Sequence, residues 1–348
     1  MTNPTVGFDA VWGGDHFLGH TIFAVEDDLL VLTAGDAPER ADHELGGALI
    51  AHLTDHHTHL GLTDPARLFA NGITDAVDLG WIPEVAAGWL IDRPGLPSVQ
   101  IAGALITAPG GYPKNAGWGP PGSTAEVADA AEAVEAVRMQ LIRGASRIKV
   151  TLNTDAGPTL DNPTLSAIVE EAHSAGFPVT VHAQGSGQAA RALAAGADQL
   201  AHAPFTERLD DATIGESVAA GVSWVSTLDI HGWGDPTPEF AIAIDNVRRF
   251  AAAGGRILYG TDLGNGPLAV GVNERELGAL VSAGLDAEQL MQSIAGDGWK
   301  AQPGTLSHQI GPRFAWLRTS PPPIVAELPA WLATARGFTT TTILGALA

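Results

Sequence analysis

The strongest constraint on this chain is a repeat. Between about residues 50 and 300 one pattern recurs: a short apolar or β-branched run, a loop, then an Ala-rich amphipathic segment that stops near a glycine. The strand candidates are 51–59 (AHLTDHHTH), 72–79 (GITDAVDL), 98–107 (SVQIAGALIT), 147–152 (RIKVTL), 178–183 (PVTVHA), 199–204 (QLAHAP), 222–227 (VSWVST) and 256–262 (RILYGTD). The segment between the fourth and fifth runs shows the grammar. Asn162 before Pro163 reads as an N-cap with proline at the first helical position, Leu165, Ile168, Val169 and Ala172 follow at helical spacing, and Gly176 and Pro178 stop the helix. Comparable helical segments are expected over 124–143, 186–195, 209–220, 236–253 and 272–283. Strands alternating with helices predict an α/β fold with a parallel sheet, and a closed (β/α)8 TIM barrel accounts best for count and length. A doubly wound open sheet is the runner-up.

The two ends read differently. VWGGDHFLGHTIFAVEDDLLVLTAG, within 1–49, alternates apolar and polar residues around Gly and Asp-Asp turn signals, which predicts short antiparallel strands. After residue 300 come GPRFAWLRTSPPP and a helix-like VAELPAWLATARGF. The expected organisation is a small β-rich domain from 1–49 and 301–335, a barrel over 50–300 and a tail at 336–348. Pro321–Pro323 and Trp331 offer a surface for a subunit contact in a homo-oligomer.

Charge excludes whole classes of partner. The chain's 348 residues include 18 Lys plus Arg against 39 Asp plus Glu, a formal charge of −21, so neither nucleic acid nor an anionic membrane surface is expected as a partner. No run approaches the roughly 18 apolar residues of a membrane span, and MTNPTVGFDAVWGGDH lacks the basic region and apolar run of a signal peptide, which predicts a cytoplasmic protein. Cysteine is absent, removing thiolate ligands and cysteine nucleophiles. Lysine occurs only at 114, 149 and 300, so each one stands out.

The chemistry gathers at strand ends. His57 and His59, in Asp55-His56-His57-Thr58-His59, share one face of the first strand, where two imidazoles can chelate one ion. Lys149 interrupts the apolar fourth strand; buried in a barrel, its amine would be driven towards the neutral form, which can add carbon dioxide to become a carbamate ligand. His182 and His202 end the fifth and sixth strands and Asp262 the eighth. Any one of these has an ordinary structural explanation. Together, six potential ligands at the C-terminal ends of five strands, the face where barrels build active sites, point to a site for zinc or a similar divalent ion.

This set resembles that of the amidohydrolase superfamily of metal-dependent hydrolases, whose members show Asp-x-His-x-His, a carboxylated lysine, two histidines and an aspartate on the first, fourth, fifth, sixth and eighth strands. Here these are Asp55, His57, His59, Lys149, His182, His202 and Asp262. GITDAVDLGW, IKV, EEAHSAGFPVTVHAQG, ALAAGADQLAHAPF and YGTD are similar to the imidazolonepropionase-like and Xaa-Pro dipeptidase-like branch. The resemblance spans roughly residues 40 to 300. It implies two divalent ions, Zn2+ first with Mn2+, Fe2+, Co2+ or Ni2+ as alternatives: His57, His59 and Asp262 on one, His182 and His202 on the other, and carboxylated Lys149 bridging. It also implies a bridging hydroxide that attacks an amide or cyclic amide of a small substrate, with Asp262 as proton shuttle. The chain departs from the family pattern at Ala51-His52, where Pro-Gly is common, at Val77, where arginine is frequent, and at Tyr112, where histidine often follows Gly-Gly. Alternatives are a lactone or ester hydrolase with the same site, a mononuclear deaminase or imidazolonepropionase-type enzyme, and a non-catalytic scaffold. Loop aromatics and a loop histidine, Trp81, Tyr112, Trp118, His231 and Trp233, are candidates for the substrate pocket, with Tyr112, His231 and Trp81 foremost.

Overall fold

The structure is a computed structural model that describes residues 3–33, 39–296 and 309–345. Lys300 and residues 301–308, assigned above to the barrel and the small domain, lie outside the described residues. The fold is α/β. Thr54–Thr58, Asp75–Asp78 and Ser98–Ile101 form a three-stranded parallel sheet. A seven-stranded parallel sheet runs Thr124–Glu126, Leu105–Thr107, Ile148–Asn153, Val179–Gln184, Gln199–Leu200, Ser223–Val225 and Ile257–Leu258 in that order.

The pair at the centre shows why these runs become strands. Every residue of Ile148–Asn153 is buried, and it matches Val179–Gln184 residue for residue from Ile148 opposite Val179 to Asn153 opposite Gln184. A strand covered on both faces tolerates a near-continuous apolar run. Helices cover the outside: Asn162–Ser174 buries Thr164, Leu165, Ile168, Val169 and Ala172, the stripe expected from spacing. Backbone bonds also join the first strand to the last segment of the repeat, His56 N to Tyr259 O (3.0 Å), His59 N to Leu263 O (2.9 Å) and Leu263 N to His57 O (3.3 Å).

Several expected elements are redrawn by local chemistry. The expected strand 98–107 is two strands, because Gly103 breaks it with φ +73° in a space where a Cβ would strike the Gln140 amide. The helix expected over 124–143 begins only at Ala130: Val127 N bonds Thr107 O, drawing 124–126 into the sheet, and Asp129 caps the helix through Ala131 N and Glu132 N. Asp161, one residue earlier than Asn162, caps the next helix by accepting from Thr164 N at 2.8 Å. The expected strands 199–204 and 256–262 end at Leu200 and Leu258, and the residues beyond carry loops. Ala287–Ala295 is an additional helix with an Asp286/Gln289 capping box.

The ends form two further five-stranded sheets. One contains Thr5–Phe8, Thr21–Glu26, Leu29–Leu32, His43–Glu44 and Gln309–Ile310; the other Ala10–Trp12, Phe17–Leu18, Ala48–Ile50, Arg313–Leu317 and Arg336–Thr339. Both mix N-terminal and C-terminal strands, and Phe8, Phe23 and Phe314 pack edge to face between them. Among the described residues no helix is long and apolar enough to cross a membrane.

Candidate metal centre

His57 lies in strand Thr54–Thr58 and His59 just beyond it, both buried and on the same side. The His57 Nδ1–H donates to Ala201 O (2.8 Å) and the His59 Nδ1–H to Gly80 O (3.0 Å). A carbonyl only accepts, so these bonds place the ring protons on Nδ1 and turn both Nε2 atoms inward. They meet at one atom: Asp262 Oδ1, 3.1 Å from His57 Nε2 and 3.3 Å from His59 Nε2. His202 stands against His57 with ring centroids 4.7 Å apart, its Nδ1 on Thr227 Oγ1 at 2.8 Å. Donor atoms of His57, His202 and Asp262 all lie within 4.8 Å of one another.

The electrostatics of the cluster suit it to a cation. Burial, reinforced by Lys149, holds His57 well below the usual imidazole range. Burial likewise holds His202 down, with His57 and His182 adding to the effect. Burial opposes ionisation of Asp262, yet the imidazoles around it keep the carboxyl well below the carboxylate range. With its Nδ1–H held by Ala201 O, His57 turns Nε2 towards the Asp262 carboxylate, an arrangement in which a cation between the two would be met by both. Imidazole nitrogens and a carboxylate are the donors a borderline divalent ion takes.

Lys149 and His182 complete the surroundings. Lys149 is almost fully buried, and burial pushes its ammonium down to about 7 against the pull of Asp262 and Asp78. It stands near the start, not the end, of its strand: Thr151, two residues on, is the partner of His182. The position expected at a strand end is thus taken by the reach of a long side chain. His182, pushed down to about 3 first by burial and then by Lys149, packs its ring on His202 (4.7 Å) while its Nε2 faces Gln184 Oε1 (3.2 Å) and Asn153 Nδ2 (3.4 Å).

Two buried carboxylates hold the frame. Asp55 accepts from His57 N (3.0 Å), Thr261 N (3.0 Å) and Thr261 Oγ1 (2.6 Å), bolting the first strand to the segment that carries Asp262. Burial nevertheless raises its carboxyl to about 7. Asp78 accepts from Leu60 N (2.8 Å) and Gly80 N (3.2 Å), fixing the loop behind His59. Asp55→Ala leaves the buried His57 and Thr261 backbone donors unpaired and is expected to lower unfolding free energy by roughly 2–6 kcal/mol, at about 1–3 kcal/mol for each orphaned group. Asp55→Asn keeps an acceptor and loses less. Urea denaturation of the two variants checks the order.

Above the cluster a cavity of about 280 Å³ is lined by His59, Leu62, Tyr112, Trp118, Asp262, Gly264, Asn265 and Gly266. Tyr112 stacks on His182 (4.9 Å, 24°), and Trp118 leans on His59 (4.7 Å). His231 stands beyond Phe205, ring centroids 4.1 Å apart, its Nε2 buried without a hydrogen-bond partner. Trp81 is not on the cavity wall. Gly61 has no side chain, and the Trp81 indole packs into that space beside Ala86 and Ile101. Sequence reasoning passed over Asn153, Gln184, Thr227, Phe205 and Asn265. Thr227 and Gln184 were signalled, since both are polar residues at the ends of apolar strands.

The match to a family model makes the chain a hydrolase of carbon–nitrogen bonds. The chain belongs to the amidohydrolase family, whose family model matches residues 67–295. No curated protein matches it by sequence. Among solved structures it is similar to a Xaa-Pro dipeptidase with bound methionine in the active site (17% identity, TM-score 0.74, covering 95% of this chain and 96% of that one). It is also similar to the ochratoxinase of A. niger (18%, TM-score 0.73, 96% and 94%) and to a prolidase complexed with N-methylphosphonate-L-proline (18%, TM-score 0.69, 94% and 95%).

Proposed function

We propose that this chain is a metal-dependent hydrolase of an amide or cyclic amide bond in a small substrate. In this reading His57, His59 and Asp262 would hold one divalent cation, His182 and His202 would hold a second, and a carboxylated Lys149 would supply a further oxygen ligand. The observation that carries the reading is the convergence of two Nε2 atoms, their tautomers set by carbonyls, on one Asp262 oxygen beside a buried lysine. Zinc or a similar ion bound there supplies Lewis acidity to the substrate carbonyl and acidifies water. Asp262, kept ionised by its surroundings, accepts the proton of the attacking water and returns it to the leaving nitrogen. Asn265 Nδ2, 2.9 Å from Asp262 Oδ2, steers the carboxylate during that transfer. Tyr112, Trp118 and His231 flank the substrate.

The same reading takes the two parallel sheets as one closed (β/α)8 barrel over 50–300, supported by the bonds between His56 or His59 and the Tyr259–Leu263 segment. It takes the two five-stranded sheets as a small domain of both ends, with 336–339 contributing its last strand.

A single-ion enzyme, hydrolase or deaminase, is the second reading. It is favoured by the trio His57, His202 and Asp262, which draws ligands from both expected sets. Metal content decides: the first reading expects close to two ions per chain, the second one. Chelation is expected to lower turnover of a responsive amide by at least about a hundredfold, with recovery on adding Zn2+, Mn2+ or Co2+. Full activity after complete metal removal would sink both readings. Peptide-like amides, cyclic amides and lactones form the screening panel.

A further inference from the structure

We infer that a small oxyanion, a phosphate or a carboxylate group, binds in a cavity at the N-terminal ends of the parallel strands, seated on the Arg147 guanidinium. The metal centre lies at the other end of those strands, and the hydrolase reading uses none of the residues that build this second site.

The cavity measures about 150 Å³, and Thr54, His56, Asp75, Ser98, Gln100 and Arg147 are among the residues that line it. Thr54, Asp75 and Ser98 each open a strand, and Arg147 stands immediately before Ile148–Asn153. Pairing of the strand starts therefore gathers their polar side chains in one place, with Ser98 and Gln100, two residues apart, on the same face. The volume is below the roughly 300–1,000 Å³ of drug-sized ligand sites, which suits an anion of a few atoms.

Arg147 brings a charge that its neighbours do not cancel. Its Nη1 donates to Gln199 Oε1 (3.2 Å) and its Nη2 to Gln100 Oε1 (2.9 Å), while its Nε–H is buried without a hydrogen-bond partner. A guanidinium stays protonated inside a protein, and amide oxygens solvate its charge without neutralising it. Asp75, the one acid on the described wall, is committed: its Oδ2 accepts from His52 Nδ1–H (3.0 Å) and Thr74 Oγ1–H (2.7 Å). Among the described residues no carboxylate pairs with Arg147. A buried donor of a cationic fork, left over beside a cavity, is met best by an oxyanion, whose charge-assisted bonds are roughly twice as strong as neutral ones. Thr54, His56 and Ser98 carry further groups able to donate to it. The formal charge of −21 acts mainly on the anion's approach, because exposed charges more than about 8 Å away are screened at physiological ionic strength.

Thermal unfolding of the metal-loaded protein, freed of excess metal, tests the site in inorganic phosphate, acetate and chloride at equal ionic strength. Binding confined to the folded state raises the melting temperature by roughly 4 °C when the anion stands at about a hundred times its Kd. A saturable rise of that size over chloride is expected in phosphate or in acetate, and the more effective of the two names the source as a phosphate or a carboxylate. Gln100→Glu, at an exposed residue, sets a carboxylate where Arg147 already donates and is expected to weaken the effective anion at least about tenfold. Arg147→Gln, which removes the charge, is expected to do the same. An anion held by the metal centre acts equally on the wild type and on Gln100→Glu, so the difference between them reports this cavity. Equal melting temperatures in all three salts, as for a cavity that holds only water, overturn the inference. So does a response of Gln100→Glu that matches the wild type, and either result leaves the hydrolase reading standing.

Discussion

Lys149→Ala is expected to abolish hydrolysis. If the buried amine becomes a carbamate, its loss removes an oxygen ligand and with it several kcal/mol of charge stabilisation, about a thousandfold or more in kcat. Short carboxylic acids small enough to enter the space left behind are expected to restore part of the activity, and metal content is expected to drop. Undiminished turnover in Lys149→Ala would refute the carbamate. Folding supplies a second readout. The ammonium is pushed from 10.5 down to about 7 by burial, so the unfolded chain binds the proton more tightly than the folded one. The resulting destabilisation of metal-free protein is fully present below about pH 7 and fades as pH rises towards 10.5. Lys149→Met keeps the volume without the charge. It is expected to be more stable than metal-free wild type by a few kcal/mol at pH 6, with the difference vanishing near pH 10, as denaturant titrations at several pH values would show.

The second large effect is expected from Asp262→Asn. The amide is close to isosteric and tolerates the left-handed backbone found there, φ 55°, so the fold survives. It can no longer take a proton or offer an anionic oxygen to the Nε2 atoms of His57 and His59. General acid–base groups contribute about 10²–10⁴-fold, and a loss in that range should appear in kcat with KM little changed. A variant with normal kcat and raised KM would move Asp262 from proton transfer to substrate binding.

Much of this layout was readable from residues alone, for physical reasons. A strand's period of two sets His57 and His59 on one side before any coordinates exist. Helical spacing in 162–174 names the buried stripe. What one-dimensional reading missed depends on competition between partners. Asp129 and Asp161 outbid their neighbours as caps through geometry at Ala131, Glu132 and Thr164. Gly103 breaks a run that propensity would extend, because Gln140 from a helix occupies the space beside it. Trp81 looked like a pocket residue until Gly61 proved to be where its ring goes. The depth of Lys149 was hidden for the same reason: its strand begins later than its apolar run suggests, and only the register with Thr180 reveals it.

Two backbone angles at the centre carry a longer consequence. Asp262 at φ 55° and Thr227 at φ 44° both occupy the left-handed region, which a branched threonine enters only under constraint. Glycine at either position would relieve roughly 1–2 kcal/mol of strain. A chain that no longer needed the aspartate and the threonine for chemistry would therefore gain stability from glycine at these two positions.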